Sequence, residues 1–153
     1  MKKTVSVLLF LVTFLYSCNN KKDETEIADN NIVCETDSLY GVYIPEDLED
    51  CFVQLDKILD DSAKIRIRQR TDIEFCNEVN SDLGQWLRNS WGIRKESRIA
   101  RYFAEKGLNN PDDISSVILV SYHRHLTDNE IRLEEQINNI RDTSSLAQIE
   151  KEK

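Results

Sequence analysis

The chain has 153 residues, enough for one domain, with 28 acidic against 20 basic side chains and a net charge of −8. That balance excludes sequence-independent nucleic-acid binding, which needs a basic footprint, and argues against adhesion of the domain face to anionic lipid. The charge is uneven: residues 19–63 carry a net −10, residues 64–106 a net +4 and residues 107–153 a net −4. The basic middle either pairs with acidic neighbours inside the fold or forms a local anion-binding surface.

Lys2 and Lys3 precede an apolar run over residues 5–16, broken only by Ser6 and Thr13. A spanning helix needs roughly 20 apolar residues, and this run is too short. The basic start, the short apolar segment and the small Ser17 read as a secretory signal peptide over residues 1–17. Leu15-Tyr16-Ser17-Cys18 then resembles the lipobox of bacterial lipoproteins. The resemblance implies that Cys18 is the site of lipid attachment and the first residue of the mature chain. Its thiol would be the nucleophile that becomes a thioether. Two or three acyl chains anchor a protein stably where one is marginal, at roughly 0.8 kcal/mol per buried CH₂. The expected location is the cell envelope, lipid-anchored at the outer membrane. Lys22-Asp23-Glu24 resembles the surface-export signal of some bacterial lipoproteins, and reads equally well as an ordinary charged linker.

Residues 18–43 carry few large apolar side chains and no sustained periodicity, so they are expected to form a lipidated, disordered tether. A flexible coil of this length holds a domain roughly 25–30 Å from its anchor. Residues 44–141 change to a helical period and predict an all-α domain, a small bundle of five to six short helices. Pro45 and the acids after it suit a first turn, and Leu48, Cys51, Phe52, Leu55, Ile58 and Leu59 form one stripe. A short helix follows from Ser62 to Arg70. Thr71 with Glu74 is a capping box opening the next one. Leu83, Trp86, Leu87 and Trp91 share a face that Gly92 can end. Ser97 to Lys106 is helical and stops at Gly107. Asn110, Pro111, Asp112 and Asp113 start a helix through Tyr122. Thr127 with Glu130 predicts another capping box, opening a last helix through Ile137. Residues 142–153 read as a polar, fraying tail.

The segments "IPEDLEDCFVQLDKIL", "LGQWLRNSWGI", "SRIARYF", "NNPDDISSVILVSYHRHL" and "IRLEEQI" appear in this order. Together they resemble the bacterial family of domain of unknown function 6794, from Ile44 to Ile140. The resemblance implies a fold and brings no known reaction.

Catalytic signatures are weak. His123 and His125 lie about 200° apart on a helix, so they cannot hold one metal from one face, and no cofactor or metal is implied. One histidine is expected packed and the other solvated. Asp112 and Asp113 are explained by a helix start. An envelope hydrolase acting on glycan or peptide through His123 and an Asp is the alternative to a non-catalytic binding or interaction module. Arg88, Asn89, Arg98, Arg101 and Arg124 are the candidate contacts for an envelope protein or an anionic ligand, since guanidinium forks grip carboxylate and phosphate. The competing reading is ion pairing to Asp112, Asp113, Glu134 or Glu135. Cys34, Cys51 and Cys76 could form one disulfide and leave one thiol. Cys51 and Cys76 read most simply as small buried hydrophobes.

Overall fold

The computed structural model describes residues 37–151. The expected signal peptide, Cys18, Cys34 and most of the expected tether lie outside the described residues. The all-α expectation holds. The helices are α1 (Leu48–Ile58), α2 (Asp61–Arg68), α3 (Asp72–Val79), α4 (Gln85–Ser90), α5 (Arg98–Ala104), α6 (Pro111–Leu126) and α7 (Leu133–Lys151). A π turn over Asn80–Gly84 joins α3 to α4 in one continuous run, and a 3₁₀ turn over Ile93–Lys95 precedes α5.

Helix starts follow the side chains available to cap them. Asp47 accepts a hydrogen bond from the amide of Asp50, and Asp60 from that of Ala63. Thr71 and Glu74 form the reciprocal capping box. Asn110 Oδ1 accepts from the amides of Asp112 and Asp113, with Pro111 in the first turn. Gly92 ends α4 in the left-handed region at φ 62°, where a Cβ would be strained.

Helix α6 is the central element and touches every other helix. Ile114, Val117, Ile118, Leu119, Ser121, Tyr122 and His123 are all buried along it. Around it pack Leu48, Cys51, Phe52 and Leu55 of α1, Leu87 of α4 with Trp91 just after it, Ile99 and Phe103 of α5, and Ile137 of α7. Cys51 is buried, Cys76 is half-buried, and both are free thiols. Burial pushes both thiols above their ordinary range.

The structure differs from the sequence expectation in three places. Residues 37–43, assigned to the tether, fold into a hairpin: β1 (Ser38–Leu39) pairs antiparallel with β2 (Val42–Tyr43), Ser38 opposite Tyr43. Strands of two residues are too short to show alternation. Its anchors lie far along the chain: Leu39 enters the core, and the Arg98 guanidinium sits 4.6 Å over the Tyr43 ring. The predicted box at Thr127 does not form. The Thr127 hydroxyl instead donates to the His123 carbonyl at 2.8 Å and closes α6, while the Glu130 carboxylate is held by Arg132 Nε at 3.0 Å. Helix α7 therefore starts later, at Leu133, and it runs to Lys151 through the region expected to fray. No helix among the described residues is long and apolar enough to cross a membrane.

Candidate functional site

The five arginine and asparagine candidates do not converge. Arg88 is buried: its Nη1 donates to Ser115 Oγ at 2.7 Å and to Asn80 Oδ1 at 3.3 Å, and its Nε lies 3.0 Å from Asp112 Oδ1. This is the ion pairing the sequence offered as the competing reading. Arg98 donates from Nε to the Ile44 carbonyl at 2.6 Å and holds the hairpin through Tyr43. Asn89 and Arg101 are exposed on α4 and α5. Arg124 lies near the other end of α6, where Nε and Nη2 reach Asp72 Oδ2 at 3.0 and 2.9 Å and Nη1 reaches the Ile131 carbonyl at 2.9 Å.

Asp112 and Asp113 begin α6. Asp112 pairs with Arg88 and with Arg94 at 3.7 Å. Burial, and then the neighbouring Asp112, raise the Asp113 carboxyl above its ordinary value. His123 lies eleven residues further along the same helix, about 16 Å at 1.5 Å per residue, so neither acid can share a proton-transfer step with it.

His123 is buried, with Nε2 2.8 Å from the Arg70 carbonyl oxygen. A carbonyl only accepts, so Nε2 carries a proton and donates, and the buried Nδ1 has no hydrogen-bond partner. The ring packs 5.9 Å from Phe75. His125 is exposed and stacks on Phe52 at 4.7 Å. One packed and one solvated histidine is the arrangement the sequence predicts. Among the described residues no group of His, Cys, Asp and Glu could hold a metal.

A cleft of about 530 Å³ opens where the end of α2, the start of α3, the end of α6 and the segment before α7 meet. Arg68, Arg70, Arg124 and Arg132 line it, against Asp72 and Glu130. The elements fix these groups separately. Arg68 Nε donates to the Leu126 carbonyl at 3.0 Å, closing the C-terminal end of α6. Arg70 Nη2 lies 3.3 Å from Glu78. Arg132 stands in the left-handed region at φ 50° and pairs with Glu130. Sequence reasoning named only Arg124 of this set. The signal for two others was the run "RIRQR" inside the basic middle segment; Arg132 belongs to an acidic stretch and gave none.

The fold and cleft define a small all-α domain with an arginine-lined surface cleft and a packed histidine. The chain belongs to the family described as Domain of unknown function (DUF6794), whose model matches residues 44–126. The match ends at Leu126, the last residue of α6, short of the Ile140 that the sequence resemblance reaches. Comparison with curated proteins gives no match, and comparison with solved structures gives none.

Proposed function

We propose that this protein is a non-catalytic binding module, tethered to the cell envelope at the outer membrane by lipid on Cys18. The observation that carries the non-catalytic reading is the engagement of His123, Asp72 and Asp112. His123 is buried with Nε2 on a backbone carbonyl, Asp72 is paired with Arg124, and Asp112 with Arg88. His123 lines the cleft, but its unpartnered Nδ1 is itself buried away from solvent, so none of these groups presents a free proton acceptor to an open site, which general acid–base catalysis requires. The anchor reading is supported by the short apolar run, the Lys2-Lys3 start and Leu15-Tyr16-Ser17-Cys18. The partner is an envelope protein or an anionic ligand.

Phase partition of wild type and Cys18→Ala tests the anchor. Wild type should enter the detergent phase and take up a fatty-acid analogue, and Cys18→Ala should do neither and stay folded. Wild-type protein left in the aqueous phase with an unmodified Cys18 sinks the lipid reading. Capture from native membranes tests the module: a stoichiometric partner is expected, and hydrolysis of envelope glycan or peptide by the purified chain would replace the binding reading with an enzymatic one.

A further inference from the structure

We infer that the arginine-lined cleft is the ligand-binding site of the module and takes an oxyanion group, a carboxylate or a phosphate. This deepens the binding reading and rests on it. The chain is acidic overall, at −8, yet this cleft gathers four guanidinium groups against two carboxylates. Asp72 pairs with Arg124, Glu78 with Arg70 and Glu130 with Arg132, so Arg68 is the lining guanidinium that has no carboxylate among the described residues. An uncompensated charge inside a concave surface attracts the opposite charge.

The arginines fall into two roles. Arg124 is a positioning residue. All three of its nitrogens are engaged, two on Asp72 and one on the Ile131 carbonyl, so it fixes the wall and does not grip. Arg68 is the principal ligand-gripping group. Its Nε is held by the Leu126 carbonyl, and no carboxylate pairs with it among the described residues. Its terminal nitrogens are therefore presented by a side chain already oriented at one end. A preorganised fork loses less freedom on binding than a mobile one. Arg132 is exposed, and its pairs with Glu130 and Glu135 are surface pairs, at 3.0 and 3.7 Å. Such pairs contribute little and exchange readily for a better acceptor. Planar forks favour two-oxygen acceptors, and carboxylate and phosphate share that chemistry.

Titration of the purified full chain with inorganic phosphate, and separately with succinate, at constant ionic strength tests the site. The readout is the shift of arginine Nε–H resonances. Saturable shifts with phosphate alone assign a phosphate group, with succinate alone a carboxylate, and with both an oxyanion site that does not discriminate. Arg68→Gln and Arg132→Gln should each weaken binding about tenfold, the scale of one lost charge-assisted contact. Arg68→Lys keeps the charge but loses the fork, and should fall between wild type and Arg68→Gln. Arg94→Gln, whose partner is Asp112 outside the cleft, should bind as wild type does. No saturable shift with either anion overturns the proposal, and so does an equal loss in Arg94→Gln. If the titration fails while membrane capture recovers a stoichiometric partner, the cleft assignment falls and the binding module stands.

Discussion

Arg124 aims two nitrogens at a single oxygen of Asp72, Nε at 3.0 Å and Nη2 at 2.9 Å. With Nη1 on the Ile131 carbonyl, one guanidinium ties α6 to the first turn of α3 and to the segment entering α7. Both side chains are about three-quarters withdrawn from water, at 24% and 25% exposure, so the pair outweighs an ordinary surface bridge. Asp72→Asn should lower the unfolding free energy by about 1–2 kcal/mol in urea titration. A double-mutant cycle with Arg124→Gln should give a coupling above about 0.5 kcal/mol; zero coupling would mean the two side chains are merely adjacent. Asp72→Asn also removes the carboxylate competing for Arg124, so inorganic phosphate should bind more tightly to this variant.

Arg88, on α4, packs against the opposite half of α6 and is a structural group. Its Nη1 satisfies the buried Ser115 hydroxyl at 2.7 Å, while Asp112, 59% exposed, keeps its own hydration. Arg88→Met should therefore destabilise by about 2 kcal/mol, less than the 3–5 kcal/mol of a fully buried pair, because the orphaned carboxylate is solvated. Equilibrium unfolding measures this. An unchanged midpoint would show that Met packs the site as well as the guanidinium does.

Gly84 lies in the π turn directly beneath that guanidinium. In an ordinary helix interior Gly→Ala stabilises by about 1 kcal/mol. Here a Cβ would run into Asn80 Oδ1 and come within 3.1 Å of Arg88 Nη1. Gly84→Ala should therefore destabilise, by about 1 kcal/mol or more, and shortening the obstacle with Asn80→Ala should restore part of the loss. The sign of the change decides the matter: a more stable Gly84→Ala would show that Asn80 moves aside freely.

The fold is legible in local signals, and long-range relationships are not. Thr71 with Glu74, and Asn110 with Pro111, specify their helix starts within four residues, and both form as read. Thr127 with Glu130 has the same local pattern, yet there the hydroxyl turns back to the His123 carbonyl. A motif of four residues does not say which helix it serves. The cleft was illegible for a related reason. Arg68 reaches Leu126 across 58 positions of sequence and Arg124 reaches Asp72 across 52. Neither helical period nor charge patterning carries such distances. The hairpin was missed because its register depends on Leu39 meeting a core built from later residues.

The hairpin tip makes its own prediction. Tyr40 and Gly41 both have positive φ, 50° and 79°, as a two-residue turn of the I′ type demands. Tyrosine is poorly suited to that region, and Tyr40 is 85% exposed, with Lys95 Nζ 5.6 Å from its ring centroid and 3.5 Å from its hydroxyl. Tyr40→Asn should stabilise the hairpin by about 0.5 kcal/mol, offset in part by the lost cation–π contact. Amide exchange at Ile44, whose N–H donates to the Asp37 carbonyl at 2.8 Å, reports it: slower exchange is expected, and faster exchange would mean the tyrosine ring holds the turn.

Tyr122 donates its hydroxyl to Asp56 Oδ1 at 2.9 Å, and Lys64 Nζ lies 3.1 Å from the same oxygen. The tyrosine is fully buried and links the middle of the core to the rim of α1. Burial pushes the Asp56 carboxyl up, but the hydrogen bonds from Lys64 and Tyr122 and the lysine charge outweigh it, so its value lies below the ordinary range. Burial, and then the hydrogen bond to Asp56, raise the Tyr122 hydroxyl well above its ordinary value, so it remains a donor at neutral pH. The sign of the linkage follows. A carboxyl whose folded value is depressed stabilises the fold above its unfolded value, about 3.9, and loses that contribution as pH falls through the folded value. Tyr122→Phe removes one of the bonds responsible, at a cost of about 1 kcal/mol near pH 7 for a hydrogen bond to a half-solvated carboxylate. The gap between wild type and Tyr122→Phe should therefore hold from pH 7 to about pH 5 and narrow below about pH 4, as Asp56 takes up its proton. Urea midpoints measured across that range test it, and a gap that stays constant down to pH 3 would show that tyrosine packing, and not the bond to the carboxylate, accounts for the loss.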